Sequence, residues 1–348
     1  MRRAKCGGQN VEGKMDYDQV EMMGKMRMMQ AATVQAGKMQ SGKVQALRMM
    51  GALVMGLALL WGGCDVIDSS TVGQQPVVEA YLIDGDTLPS VRLSQTAPID
   101  GGAGGQEAIA GADVVIERLD DDGNPAETVL YRADTAGVYV PENPAPVVQG
   151  GATYRLRATL PGGAEVRGET TVPSGLRLVE AANTESTFQS PEQPSFTVTR
   201  AAVQDVPVVF IFTTTSRLDF DSLSTDEIKD QFTPFYRDAF DGDEDEVRDF
   251  ETTASPIINE ANYEDNGDGT ITIDYPWIAL AFLGENEVAV SVLDRALYDY
   301  IRTNDAQQGG LSPGEIPNIV DNIDGGTGIF GSYARVGTTI DIALPGAE

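Results

Sequence analysis

The sequence of 348 residues contains no histidine and only two cysteines, Cys6 and Cys64. Without an imidazole the chain can form neither a Ser-His-Asp nor a Cys-His catalytic arrangement, and no zinc or haem site with a histidine ligand. Two thiols are too few for a four-thiolate metal centre or a disulfide framework. Methionine is absent after residue 55, although the chain has eleven, and lysine is almost absent after Lys43, with Lys229 as the only later one. This change in composition indicates a leader followed by a mature protein.

The leader contains an uncharged apolar run at residues 49–61 (MMGALVMGLALLW), with basic residues before it and two glycines after it. These features describe an export signal, whereas a membrane-spanning helix needs roughly 20 apolar residues. We therefore interpret residues 39–63 as a lipoprotein signal peptide. Residues 1–38 show no clean periodicity and are interpreted as an extension in front of the true start codon.

Cys64 follows Gly62 and Gly63 directly, and this order predicts lipoprotein processing. The thiol of Cys64 would take a diacylglyceryl group, and the peptidase would cut before it. Trp61 stands where such signals usually carry an aliphatic residue. The alternative is ordinary cleavage, which leaves Cys64 as a free thiol or removes it. Because the mature part holds no other cysteine, we favour lipid attachment at Cys64, with residues 64–76 as a polar tether.

The mature chain is strongly acidic. Nine of the 24 basic and four of the 53 acidic residues precede Cys64, which leaves 15 basic and 49 acidic residues and a formal net charge of −34. This charge repels nucleic acid and anionic membrane surfaces, so we expect no nucleic-acid partner. The acidity could capture cations, or it could be an adaptation to a salty environment, where ions screen the repulsion. Arginine supplies 14 of the 15 basic residues, which favours adaptation.

From residue 77 onward the sequence consists of short strand patterns separated by turn residues. Residues 154–160 (YRLRATL) alternate apolar and polar side chains, which places one face in a core and the other in water. Residues 120–124 (DDDGN) and 161–163 (PGG) are typical of reverse turns. We expect an immunoglobulin-like antiparallel β-sandwich over residues 77–173.

A second β-rich domain with one or two helices is expected over residues 196–348, after a connection at residues 174–195 that is rich in Ser, Thr, Glu and Pro. Residues 206–215 (VPVVFIFTTT) predict a strand buried on both faces. A capping box at residues 224–227 (STDE) predicts a short helix. Apolar residues at helical spacing in residues 293–301 predict a helix of about three turns. The fold class is therefore mainly β.

Six segments of the mature chain carry a family resemblance. They are residues 77–82 (VVEAYL), 91–94 (VRLS), 111–116 (GADVVI), 137–139 (GVY), 151–156 (GATYRL) and 322–333 (NIDGGTGIFGSY). With them the mature chain resembles the domain of unknown function (DUF) 4249 family of Bacteroidota lipoproteins. The last segment is similar to the family's Asn-Ile-x-Gly-Gly-x-Gly-Ile-Phe-Gly signature. The Asn-Pro-Phe segment that usually precedes the signature is replaced by residues 311–314 (LSPG).

The resemblance implies an outer-membrane lipoprotein that partners a TonB-dependent receptor in nutrient uptake, without enzymatic activity. It implies no catalytic residue. Two other functions stay open, a surface adhesion or structural module and a secreted hydrolase that uses Asp and Glu. With 49 acidic residues neighbouring carboxylates are inevitable, so their presence does not identify a hydrolase.

Two acidic stretches could bind calcium, at residues 241–246 (DGDEDE) and 264–269 (EDNGDG). The second begins like an EF-hand loop, but Tyr275 stands where the bidentate Glu belongs, and a hairpin turn explains residues 266–269. We expect no cofactor, with calcium as the alternative.

The remaining candidates have a structural explanation beside the functional one. The glycine-rich residues 325–331 could cradle an anion, but they lack the Lys-Ser/Thr of a P-loop. We expect turns with positive φ there, while the two large apolar residues of the run fill the core. Lys229 is expected to form a surface ion pair. Tyr275 and Trp277 could stack on a sugar or peptide, but core packing is the favoured role.

Overall fold

The computed structural model describes residues 74–96, 107–142, 144–204, 206–240, 244–308 and 319–346. In this part of the chain the fold is mainly β, as the sequence predicts. The strands of the first half are β1 (Pro76–Ile83), β2 (Val91–Gln95), β3 (Glu107–Ala108), β4 (Asp113–Leu119), β5 (Pro125–Thr135), β6 (Val138–Pro141), β7 (Thr153–Thr159) and β8 (Glu165–Thr171). Those of the second half are β9 (Leu178–Ala182), β10 (Glu185–Thr187), β11 (Ser195–Thr199), β12 (Phe210–Ser216), β13 (Thr252–Ala254), β14 (Glu264–Asp265), β15 (Thr270–Asp274), β16 (Gly284–Leu293), β17 (Ile323–Asp324) and β18 (Thr327–Ala343).

The first sandwich forms because its strands alternate apolar and polar residues. On β7, Tyr154, Leu156 and Ala158 are buried, while Arg155 and Arg157 lie on the other face. Strands follow one another in the order β1-β2-β6-β5-β4-β7-β8-β17. The predicted turn at residues 120–124 is present: the carboxylate of Asp120 accepts hydrogen bonds from two backbone N–H groups of that turn.

The sandwich is completed by the C-terminal strands, and its pairing is not purely antiparallel. β18 pairs with β1 in parallel, from Val77 opposite Thr327 to Ile83 opposite Tyr333, and β17 pairs with β8. A parallel pair needs a long connection between its strands, and nearly the whole chain lies between β1 and β18. Ile323 of β17 therefore belongs to the first core, although the sequence patterns predict a sandwich that ends near residue 173.

A second core lies between the strands β12, β16 and β18 and a four-stranded sheet of order β14-β15-β11-β9. Residues 174–195, expected to be a connection, contain the strands β9 and β10. β9 lies at the edge of its sheet, and Val179 and Glu180 on it are exposed. A strand with so little burial has no alternating pattern, so the sequence of this segment resembles a linker.

The described residues contain three α-helices, whereas the sequence predicts one or two. They are α1 (Thr225–Asp230), α2 (Pro234–Ala239) and α3 (Arg295–Gln308), with 3-10 helices at Glu244–Phe250, Glu260–Asn262 and Trp277–Ala279. The capping box of α1 is confirmed, because Ser224 and Glu227 bond reciprocally through side chain and backbone. The unpredicted α2 begins at a proline in its first turn, a position that favours a helix start. α1, α2 and the following 3-10 helix share a separate aromatic core around Phe232 and Phe282.

The helix α3 packs against β1, β12 and β18 and forms a third core. Leu297 is fully buried, and Ile301 is nearly so, as their helical spacing predicts. The helix has 14 residues, about four turns rather than three. Its first turn faces the signature segment, and this position makes it part of the site described next.

Candidate functional site

Several sequence-based interpretations concern residues outside the described ranges. These are the extension at residues 1–38, the signal peptide at residues 39–63, Cys64 with most of the tether, the acidic residues 241–243 and the segment 311–314. Near the start of the described residues, Gln75 and Thr96 form two hydrogen bonds. The backbone N–H of Gln75 donates to the hydroxyl oxygen of Thr96, and the backbone N–H of Thr96 donates to the carbonyl oxygen of Gln75. Gln75, near the end of the segment expected to be a tether, is therefore held beside the end of β2.

The glycine-rich signature forms the turn into β18. Gly325 and Gly328 have φ values of 79° and 110°, in the region that favours glycine. Ile329 and Phe330 are fully buried, in the third and the first core respectively. The expectation of a structural turn is confirmed, and a strand follows the run where a phosphate-binding loop would need a helix.

The close approach of the backbones of β1 and β18 is a second reason why position 328 is a glycine. A Cβ atom at this position would lie 2.1 Å from the carbonyl oxygen of Val78 on the neighbouring strand β1. No side chain fits at that distance. The glycine thus permits the parallel pairing of β1 and β18, the first and the last strand of the described residues.

Asn322, the first residue of the signature, connects two strands through its side chain. Its Nδ2 donates to the carbonyl oxygens of Glu169 on β8 and Phe330 on β18, both at 2.7 Å. Its Oδ1 accepts from the backbone N–H of Phe330 at 3.0 Å. The amide therefore replaces ladder hydrogen bonds at a point where β8 and β18 are not paired directly.

A buried carboxylate, Asp294, lies next to this segment and was missed by the sequence analysis. It precedes α3, and its Oδ1 accepts from the backbone N–H of Leu297 at 2.9 Å, which makes it the N-cap. Its Oδ2 accepts from the hydroxyl of Thr170 on β8, and that hydroxyl lies 2.6 Å from the hydroxyl of Ser332 on β18. An Asp directly before a helical pattern predicts an N-cap. Nothing in the sequence predicts that this Asp is buried.

Burial raises the pKa of Asp294 to about 6, against the opposing effect of the hydrogen bonds from Thr170 and the backbone. The residue is only 3 % exposed. A carboxyl with such a pKa could exchange protons near neutrality, but a substrate cannot reach it. The arrangement holds α3, β8 and β18 together, and its chemistry is structural.

The second acidic stretch is a hairpin turn, as expected, and its carboxylates are used within it. Asp265 accepts from the N–H of Gly267 and pairs with Arg200. Asp268 accepts from the backbone and the hydroxyl of Thr270, and these bonds lower the pKa of Asp268. Within the described ranges no group of three or more Asp, Glu or Cys side chains is placed to hold a metal ion.

The remaining candidates take structural positions. Tyr275 is fully buried and its hydroxyl lies 2.7 Å from that of Thr214, while Trp277 is half-buried and packs edge-on against Phe188. Lys229 lies with its ammonium 5.1 Å from the ring centroid of Phe240. The structure thus assigns Lys229 a cation–π contact where a surface ion pair was expected.

Comparison with known proteins gives one extended match. The sequence model of a family described as "Domain of unknown function (DUF4249)" matches residues 65–339. No curated protein matches the chain. In the described ranges no helix is long and apolar enough to cross a membrane.

Solved structures similar to the chain are distant. Trypsin-activated alpha-2-macroglobulin from Escherichia coli is 13% identical over 64% of this chain and 15% of that chain, with a TM-score of 0.18. Salmonella alpha-2-macroglobulin reacted with methylamine is 13% identical over 78% and 15%, with a TM-score of 0.19. A tetra-tandem repeat in the extending region of a large adhesion protein is 13% identical over 76% and 49%, with a TM-score of 0.18. The chain thus spans a minor part of each of these chains, and likenesses this weak carry no functional argument.

Proposed function

The chain belongs to the DUF4249 family, and on this premise we propose that it is a lipid-anchored protein of the outer membrane that binds or gates a TonB-dependent receptor in nutrient uptake. The proposal includes no enzymatic step. Asp294 is the carboxyl group among the described residues whose pKa is raised. Because it is buried and hydrogen-bonded within the fold, it is placed for a structural role and not for contact with a substrate.

The position of Cys64 carries the proposal. The family match begins at residue 65, immediately after the cysteine that ends the apolar leader. The last methionine of the leader, Met55, and the start of the family match therefore lie within ten positions of each other. This coincidence supports cleavage before Cys64 and attachment of lipid to its thiol. Three acyl chains hold a protein in a bilayer firmly, since each buried CH2 contributes about 0.8 kcal/mol.

The strand topology supports a defined orientation of the anchored protein. Gln74 lies ten positions after Cys64, a span of at most about 35 Å. Thr327, the first residue of β18, lies beside the start of β1 and so at the tether end. The 17 residues of β18 then run roughly 55 Å toward the second core. In the proposed arrangement the sandwich is therefore near the membrane and the second core is further away.

The distribution of charge fits this orientation. Residues 74–173 carry a formal net charge of −9, and residues 174–348 carry −23. The more acidic half would thus lie further from the anionic membrane, which reduces electrostatic repulsion between the two. This polarity supports an anchor at the N-terminal end.

Lipid attachment is tested by intact-mass analysis in the native host. The wild-type protein should have the mass of residues 64–348 plus three acyl chains and glycerol. Cys64→Ser should lose the lipid and the membrane location, while Ser70→Ala, a control substitution in the expected tether, should leave both unchanged. An unmodified full-length chain in the cytosol would refute the proposal.

The receptor is tested by co-purification from detergent-solubilised membranes. We expect a large β-barrel receptor to co-purify with the lipidated protein in stoichiometric amounts. Recovery of the lipidated protein without a barrel would leave the anchor in place and remove the uptake function.

A further inference from the structure

A single strand, β18, connects three of the cores. It has 17 residues, from Thr327 to Ala343. Near its start, Phe330 lies in the first core and Ile329 lies in the third core. Near its end, Ile342 lies in the second core. A force on the second core is therefore transmitted to the sandwich through this strand.

The first strand, β1, pairs with the start of β18 in parallel. The register covers seven residue pairs, from Val77 opposite Thr327 to Ile83 opposite Tyr333. Cys64, the proposed site of the lipid, precedes β1, so tension on the anchor pulls β1 backward, toward the membrane. Tension on the second core pulls β18 in the opposite direction. Both forces act along the strands, and the pair is loaded in shear.

A strand pair loaded in shear resists a larger force than one that is peeled apart. When two strands slide past each other, their hydrogen bonds stretch together and share the load. When a strand is peeled from one end, each bond carries the whole load in turn. Forced unfolding is governed by the rate of crossing this barrier and not by the equilibrium free energy. The direction of the force on β1 therefore decides how well the fold resists it.

Both faces of β1 are shielded from water. Val78, Ala80 and Leu82 are at most 2% exposed and lie in the first core. Tyr81 and Ile83 lie in the third core, below α3. The low local dielectric strengthens the backbone hydrogen bonds of such a strand, and little water is present to replace them. Sliding of β1 would also pull these side chains out of two cores at once.

The contacts between the two segments continue past the ladder. Beyond the end of β1, the backbone N–H of Asp84 donates to the carbonyl oxygen of Tyr333 at 3.0 Å. Two residues further along each segment, Nη2 of Arg335 donates to Oδ2 of Asp86, also at 3.0 Å. At the other end, Gly328 permits the close approach to the backbone of Val78. The paired region therefore extends from the tether end to the loop after β1.

We propose that β1 and β18 form a mechanical clamp, which keeps the chain folded under tension between the lipid anchor and a partner held at the second core. This inference rests on the proposed function, because it takes the anchor at Cys64 as one end of the load. The position of the anchor matters: an attachment in front of β1 loads the parallel pair in shear. An attachment after β1 would instead peel the strand from its far end.

Single-molecule force spectroscopy on the full mature chain, residues 64–348 made without lipid, tests the clamp. Cys64 is the only thiol of that chain and is one handle. Pro345→Cys, an exposed position after β18, gives a second handle that loads the pair in shear. Glu107→Cys, also exposed, is the matched control. Glu107 lies opposite Gln95, which lies opposite Pro76, so these handles share the tether end and the force acts across the strands.

We expect the rupture force to be several-fold higher with handles at residues 64 and 345 than with handles at residues 64 and 107. The two measurements use the same pulling speed, and a cooperative urea transition shows that each chain is folded. Equal rupture forces in the two geometries would overturn the proposal.

Two matched core variants show where the resistance lies. Leu82 on β1 and Leu156 on β7 are both fully buried in the first core, so Leu82→Ala and Leu156→Ala should lower the free energy of unfolding similarly in urea. Only Leu82→Ala should lower the rupture force between residues 64 and 345, because the barrier is crossed by moving β1 past β18. Val78→Ala and Val114→Ala, on β1 and β4 of the same core, are a milder pair for use if a leucine variant does not fold.

A rupture force that falls equally in both variants of a pair would overturn the clamp, because the resistance would then come from the whole core. These outcomes are separable from failure of the proposed function, since lipidation at Cys64 and co-purification of a barrel are measured on the wild-type protein. Lipid at Cys64 together with a rupture force that does not depend on geometry would refute the clamp alone.

Discussion

The hydroxyl of Thr170 donates a hydrogen bond to the buried carboxylate of Asp294 across 124 positions of sequence. The bond connects β8 of the sandwich with the start of α3. On β18, the hydroxyl of Ser332 lies 2.6 Å from that of Thr170, and the carbonyl oxygen of Ser332 accepts from the backbone N–H of Asp294. Three elements from distant parts of the chain therefore meet at Asp294 and Thr170. The packing of β8, β18 and α3 therefore depends on the protonation state of Asp294.

The first prediction concerns pH. Burial raises the pKa of Asp294 to about 6, whereas the carboxyl in the unfolded chain titrates near 3.9. Between these values the native state holds a proton that the unfolded state has released, so the contribution of Asp294 to the free energy of unfolding falls as pH rises from about 4 to 6. Two pKa units correspond to about 3 kcal/mol.

The variant Asp294→Asn isolates this effect, because its amide oxygen can still accept from Leu297 while the group no longer titrates. Urea denaturation should show the variant gaining up to about 3 kcal/mol relative to wild type between pH 4 and pH 7. Asp341→Asn, which removes an exposed carboxylate of β18, is the control for a change of surface charge. A difference between Asp294→Asn and wild type that is constant with pH would contradict the assignment.

The second prediction concerns the close approach of β1 and β18. Gly328→Ala would place a Cβ atom 2.1 Å from the carbonyl oxygen of Val78, so the strands must separate. We expect the variant to be destabilised by more than about 4 kcal/mol or to remain unfolded. Gly267→Ala also has positive φ but meets nothing within 4 Å, and it should cost only about 1–2 kcal/mol. Similar melting temperatures for the two variants would show that the contact is unimportant.

Local features of the fold were predictable from the sequence, and long-range pairings were not. The alternation on β7, the capping box at Ser224 and the burial around Phe330 follow from residues close together in sequence. The parallel pairing of β1 with β18 joins segments about 250 residues apart, and no local period encodes it. For the same reason, the sequence predicts that the signature glycines form turns, but it does not predict that Gly328 lies against the backbone of Val78.

The candidate site was predictable to a smaller degree. Asp294 could have been identified as an N-cap from its place before a helical pattern, but its burial depends on Thr170, which the sequence places in another domain. Val179 lies on an edge strand with an exposed face, so its segment had the composition of a linker. Direct pairing of Arg157 with Arg167 requires the strand register, which alternation alone leaves undefined.

The third prediction concerns Asn322. Asn322→Ala removes two donated bonds and one accepted bond, and leaves backbone groups of Phe330 and Glu169 without this partner. Loss of this bridge should lower the free energy of unfolding by about 2–4 kcal/mol, measured in urea.

Asn322→Asp separates hydrogen bonding from side-chain volume. It keeps the acceptor but loses both donors and sets a negative charge beside two carbonyl oxygens, so it should be at least as destabilising as Asn322→Ala. As a control, Asn259→Ala removes a cap of an exposed 3-10 helix and should cost about 1 kcal/mol. An Asp variant as stable as wild type would show that Asn322 does not bridge the strands as donor.

The fourth prediction separates charge screening from calcium binding. A net charge of −34 after Cys64 makes the folded chain repel itself, so NaCl should raise the melting temperature as the Debye length falls from about 30 Å at 0.01 M to about 10 Å at 0.1 M. Calcium should add nothing specific at the hairpin, because Asp265 and Asp268 already accept hydrogen bonds within the turn. Asp268→Asn should therefore leave unchanged any difference in melting temperature between calcium chloride and magnesium chloride at equal millimolar concentration. A rise with calcium that magnesium does not reproduce, and that Asp268→Asn abolishes, would show that the hairpin binds calcium after all.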